Sequence, residues 1–161
     1  MPITTAQEKF AHELADMYDA EHQFLDAMHK MREVASDAKL QALLEEHMEQ
    51  TEGQIRGLED VFAEVGQEPQ RQECAGAKGL IEEASKMMEE AGTSELRDAV
   101  IAAGATKAEH YEMVSYADLI DGAELLKLRK SVRALTENRE QEISTARKLE
   151  RVAPRLGKAA A

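Results

Sequence analysis

Apolar residues recur along this chain at helical spacing, in four long stretches and one short one. The first predicted helix runs from about Thr5, with Glu8 completing a capping box, to about Ala35, and its stripe is Phe10, Leu14, Met17, Phe24, Leu25 and Met28. "SDAK" turns the chain, and Ser36 or Asp37 caps a second helix from about Ala38 to Val65, closed by Gly66. Leu40, Leu43, Leu44, Leu58, Val61, Phe62 and Val65 mark its apolar face. Beyond the loop "GQEPQRQE", a short helix spans about Cys74 to Ala91 and carries Leu80, Ile81, Ala84, Met87 and Met88. Thr93 or Ser94 caps a third long helix reaching about Ala123, with Ile101, Ala102, Ala105, Met113, Tyr116 and Ile120 on one face. The last helix spans about Leu128 to Val152 and stops before Pro154; Leu128, Leu135, Ala146 and Leu149 share its face. The alternating pattern that a sheet would need is missing, so the class is all-α.

The turns after the first and third long helices are short, which makes each joined pair an antiparallel hairpin. The connection between the hairpins is long and contains its own helix, about 25 Å at 1.5 Å per residue, enough to carry the chain back along a bundle. Four helices with one long crossover is the ferritin-like connectivity. The alternative is a simple helical bundle with the short helix as a lid. At 161 residues the chain makes one domain, residues 1–161, with a core over about 5–152 and a flexible tail over 153–161.

The polar residues on the apolar faces carry the chemistry. With Glu21 set to zero on its helix, the stripe residues fall within roughly 60° of it at 100° per residue, so this glutamate points inward. His47, Thr51 and Gln54 lie on the apolar face of the second helix, and Glu109 and Glu112 lie within that of the third. The face of the last helix centres near Glu142, whereas Glu137 and Glu140 point to solvent. Measured from the hairpin turns, these groups fall at one depth. The triplet Ala-Glu-His occurs at both Glu21 and Glu109, as a duplicated hairpin would leave it.

Ionised carboxylates gathered in an apolar core repel one another and cost several kcal/mol each unless compensated. Protonation, ion pairs or a bound cation can compensate them, and Arg32 and Arg139 lie only at the outskirts. Oxygen-rich sites with an imidazole suit iron, manganese or zinc, as one ion or two. The competing reading is a hydrogen-bonded network that binds no metal and fixes helix register. His12 and His29 read as surface histidines, and "KMMEE" as packing of the short helix.

Charge and composition narrow the partners. A net charge of −12 and a pI near 4.9 argue against sequence-independent binding to nucleic acid or anionic lipid. Basic residues gather at Arg147, Lys148, Arg151, Arg155 and Lys158, as a solvated, frayed terminus would allow. Cys74 is the single cysteine, no apolar run is long enough to span a bilayer, and no signal segment opens the chain, so a reducing cytoplasm is expected.

The motifs "ELADMYDAEHQFLDAM", "HMEQTEGQIRGLEDVF", "CAGAKGLIEEA" and "KAEHYEMVSYADL" resemble the YciF-type stress-response proteins of the ferritin-like, rubrerythrin-related superfamily, nearly from end to end. The resemblance implies a bacterial stress-response bundle, a homodimer, with no established enzymatic activity. Rubrerythrin-like sites place Glu on the first helix, Glu-x-x-His on the second, Glu-x-x-Glu on the third and Glu-x-x-His on the fourth. Glu21 matches the first, and Glu109 with Glu112 the third. Thr51 and Gln54 stand where the second helix would carry its ligands, leaving His47, and no histidine follows Glu142. The resemblance therefore implies a partial or remodelled metal site of Glu21, His47, Glu109, Glu112 and Glu142, with Tyr116 and Tyr18 as hydrogen-bond partners. Full di-iron oxidase or peroxidase chemistry fits these departures poorly, and a weak peroxide-consuming oxidoreductase is the third reading.

Overall fold

A computed structural model describes residues 2–161. Five helices account for nearly all of them: α1 (Ala6–Val34), α2 (Ala38–Glu64), α3 (Ala75–Glu90), α4 (Ser94–Leu125) and α5 (Arg129–Ala159). Their starts follow local chemistry. Thr5 Oγ1 accepts from the Glu8 amide and Glu8 reaches back to the Thr5 amide, closing the capping box. Asp37 and Thr93 cap α2 and α4 through the amides of Leu40 and Leu96. At the end of α2, Gly66 takes φ +72°, and bonds from the Gly66 amide to Ala63 and the Gln67 amide to Phe62 form a Schellman motif. The end of α4 repeats this geometry with Lys127 at φ 61°, where glycine would be unstrained.

α1 packs on α2 and α4, α5 packs on the same two helices, and α3 lies against α1 and α4. Lateral contacts fix the directions. Asp98, at the start of α4, bonds Ser36 and Asp37 at the start of α2, so these two helices run parallel. Glu64, at the end of α2, bonds Ser131 at the start of α5, so that pair is antiparallel. This is the ferritin-like four-helix bundle, with α3 inside the crossover between the hairpins.

The core divides into two apolar clusters. One is built on Phe10, Leu14, Leu58, Phe62, Leu119 and Leu135. The other holds Met28, Leu40, Leu44, Ile101, Leu149 and Leu156. Between them lies a layer of buried polar side chains.

The last helix departs from expectation. It does not stop at Val152 but continues through Pro154 to Ala159. Proline removes one intrahelical bond, yet Leu156 is buried in the second cluster and Arg155 grips Asp37 with two bonds of 2.8 and 2.9 Å. Those tertiary contacts outweigh the local penalty of about 3 kcal/mol. Two of the basic residues there are thus held by acids on the neighbouring hairpin, Arg155 by Asp37 and Lys148 by Glu46 at 2.6 Å.

Candidate functional site

Helical spacing brings the polar layer together. His47, Thr51 and Gln54 follow one another down the inner face of α2, Glu109, Glu112 and Tyr116 down that of α4, and Asn138 with Glu142 down that of α5, while α1 contributes Glu21. All nine are buried, and Glu21 and Glu142 have no exposed surface at all.

His47 Nε2 lies 2.6 Å from Glu109 Oε1 and 3.6 Å from Glu142 Oε2. Across the bundle, the Tyr116 hydroxyl donates to Glu21 Oε1. Asn138 Nδ2 donates to the Gln54 carbonyl and to the Tyr116 hydroxyl oxygen, at 3.1 and 3.2 Å. Gln54 Nε2 in turn reaches Gln141 Oε1 at the surface, 3.1 Å away. One potential ligand atom from each of His47, Glu109, Glu112 and Glu142 lies within 4.8 Å of the other three.

Much of the layer's bonding capacity is unused. Both oxygens of Glu112 and both of Glu142, one each of Glu21 and Glu109, and His47 Nδ1 have no partner, nor do Thr51 Oγ1 and Gln54 Oε1. Buried polar atoms are satisfied in the great majority of cases, so a concentration of orphans on one layer calls for a missing partner. Burial pushes the Glu21 carboxyl up to about 8, the Glu142 charge adding to it, and the Glu109 carboxyl up to about 7, where a hydrogen bond with Glu142 opposes the rise. Glu112 and Glu142 are driven well above the carboxylate range by the same desolvation and by mutual repulsion.

Among the described residues, no arginine or lysine pairs with them. Arg32 pairs with Glu45 at 2.6 Å, and Arg139 donates to the Met113 carbonyl. A divalent cation fits this donor set, which is hard oxygens plus one imidazole, convergent and buried. Such an ion would supply concentrated positive charge, and redox capacity if it were iron or manganese.

Glu137 and Glu140 are exposed, as their phase requires, and so are His12, His29 and His110. Tyr18 does not join the layer. Its hydroxyl donates to Glu59 at 2.9 Å and its ring packs edge-on against Phe62, because its place at the stripe edge turns it toward α2. The sequence reading missed two buried acids. Asp98 accepts from the Ser36 amide, the Ser36 hydroxyl and the Asp37 amide, joining the hairpins. Asp19 accepts from Arg71, Gln23 and the Cys74 amide and thereby fastens the crossover to α1. Asp98 lies on the apolar stripe of α4, one turn before Ile101 and Ala102, so its phase could have revealed it, whereas Asp19 lies off the stripe of α1 and carries no such signal. Asn138 was findable, one helical turn before Glu142.

Known proteins share this architecture. A family profile described as a domain of unknown function, DUF892, matches residues 5–161. YciF of Escherichia coli (strain K12) is 39% identical over 150 residues, which cover 92% of this chain and 90% of that protein. The crystal structure of the E. coli stress protein YciF superposes with a TM-score of 0.91 at 36% identity, over 97% of this chain and 99% of that one. YcfI from Rhodopseudomonas palustris, described as a candidate structural protein, superposes with a TM-score of 0.90 at 38% identity, over 92% of this chain and 94% of its own.

Proposed function

This chain belongs to the DUF892 family, of YciF type, and from that premise we propose that it is a stress-response protein holding one or two divalent ions in a remodelled carboxylate–histidine site. Glu21, His47, Glu109, Glu112 and Glu142 are the ligands in this reading, with iron first and manganese or zinc as alternatives. The observation that carries it is the convergence of ligand atoms from His47, Glu109, Glu112 and Glu142 within 4.8 Å while most of their oxygens lack any partner. Tyr116 orients Glu21, and a hydrogen bond of that kind tunes a ligand's basicity. No enzymatic reaction is assigned, because Thr51 and Gln54 occupy the places of two ligands in the rubrerythrin-like pattern. The protein acts in the cytoplasm as a homodimer in this reading, without nucleic acid or membrane. Among the described residues, no helix is long and apolar enough to cross a membrane.

The test is metal analysis of protein reconstituted with iron, manganese and zinc, combined with an anomalous-scattering map at the layer. A blank analysis and a featureless map would sink the proposal.

A second reading is favoured by the bonds already present. The contact of His47 with Glu109, and that of Tyr116 with Glu21, begin a network that protonation could complete without an ion. The protein would then be a non-catalytic structural bundle whose polar layer fixes helix register. The R. palustris neighbour described in structural terms accords with it.

A further inference from the structure

The outer face of α4 carries a pattern of its own. Val114 stands on it, 71% exposed, on the side of the helix away from the buried carboxylates. Leu125 follows at 69%, and among the described residues these are the two most exposed large apolar side chains. Leu96 lies on the same helical phase and is also exposed. Single exposed apolar residues are ordinary, but three on one phase mark a face.

The other residues of this face are arranged symmetrically about Val114. His110 and Lys107 stand four and seven positions before it; Asp118 and Asp121 stand four and seven positions after it. Eleven positions away, Ala103 on one side matches Leu125 on the other. At 100° per residue all of these offsets fall within about 40° of Val114, and every one of the residues is exposed. Basic side chains therefore occupy the first half of the stripe and acidic ones the second. Three of them already hold a partner in their own chain: Lys107 meets Glu83 at 2.8 Å, His110 meets Glu150 at 2.9 Å, and Asp118 meets Lys9 at 2.9 Å. Each keeps more than half of its side chain exposed, which leaves room for a second partner.

We propose that a second copy of the chain docks on this face, its α4 antiparallel to the first about a two-fold axis through Val114. Under that axis, residues equally distant from Val114 meet across the interface, each pair formed twice. Lys107 faces Asp121 of the partner subunit, His110 faces Asp118 of the partner subunit, and Ala103 faces Leu125 of the partner subunit. Val114 meets its own copy. A parallel alignment would set like charges opposite one another, so the charge pattern selects the antiparallel one. The stripe from Ala103 to Leu125 is about 33 Å long at 1.5 Å per residue. On either side α3 and α5 flank it, as the Glu83 and Glu150 pairs show, and widen the face toward the roughly 800 Å² per partner of a specific interface. The proposal rests on the homodimer of the reading above and names its surface.

Sedimentation equilibrium of the full chain measures the dimer dissociation constant. Val114→Asp disturbs no buried contact and sets two carboxylates face to face, so it should raise that constant about tenfold or more. Lys107→Glu should weaken the dimer too, and adding Asp121→Lys should recover most of the loss, because the pair of substitutions only exchanges the two charges. Val114→Cys should give a disulfide-linked dimer on mild oxidation, whereas Glu137→Cys, on the exposed face of α5, should not. A wild-type dimer that none of these variants weakens, with no cross-link through Val114→Cys, overturns the inference and leaves the homodimer standing. A wild-type chain that stays monomeric at every concentration overturns both and leaves the face to a different partner.

Discussion

His47 Nε2 lies 2.6 Å from Glu109 Oε1, yet His47 Nδ1 and Glu109 Oε2 are buried without partners. Two helices thus meet through half of each side chain's bonding capacity and leave the other half unspent. If an ion takes up that capacity, its removal should weaken the fold. An ion present at a hundred times its dissociation constant stabilises by about 2.7 kcal/mol. In a chain of this length, that moves the melting temperature by about 5–10 °C. Calorimetry with and without chelator is expected to show such a drop, and Glu109→Ala should abolish the difference. A wild-type melting curve indifferent to chelator favours the hydrogen-bonded network instead.

The raised carboxyl pKa values predict the pH dependence of the metal-free protein. Glu21 titrates near 8 and Glu109 near 7 in the folded state, against 4.5 unfolded. The folded state therefore binds more protons between these limits, and its stability falls as pH rises. The contribution is complete below about pH 4.5 and is lost as pH climbs through 7 and 8. Urea titrations of chelated protein at pH 5.5 and 8 should differ by a few kcal/mol, the lower pH being the more stable. With metal the slope should flatten or reverse, because the ligands bind ions only when deprotonated. Equal stability at both pH values without metal would contradict the layer's assigned electrostatics.

Asp98 joins the hairpins through bonds of 2.6 to 2.9 Å to Ser36 and Asp37 at the entrance to α2. Asp98→Ala should cost about 2–4 kcal/mol in urea unfolding, since three bonds to a buried carboxylate are lost and the amides are orphaned. Metal content should not change, because the residue touches none of the layer.

Lys127 occupies the left-handed position that ends α4, at φ 61°. Its side chain is exposed, so Lys127→Gly loses no packing and relieves a strain of about 1–2 kcal/mol, partly offset by the greater freedom of unfolded glycine. A net gain of up to about 1 kcal/mol is expected in urea titrations. A loss of stability would show that the lysine side chain has a role beyond its backbone.

Assembly is the last prediction. Light scattering at high concentration should report a dimer, twice the 17.9 kDa of one chain. A single-chain mass under those conditions decides against it.

Periodicity was sufficient to place most of the inward-facing residues, though not Asp19. Each helix is long enough for its apolar residues to define a phase, and most positions near its centre are buried whatever their polarity, although Leu25, Leu43, Met113 and Ile120 stay half-buried. That is why Glu21, His47, Glu109, Glu112 and Glu142 could be placed in the interior from the sequence, and Glu137 and Glu140 outside it. The helix caps were equally legible, because Thr5, Asp37 and Gly66 act on neighbours within a few positions.

Only the tertiary structure decided what crosses between helices. Asp98 meets Ser36, and Glu64 meets Ser131, across sequence separations for which no local pattern exists. Tyr18 chose Glu59 over Glu21, and α5 passed through Pro154, because contacts with distant residues outweighed local preference.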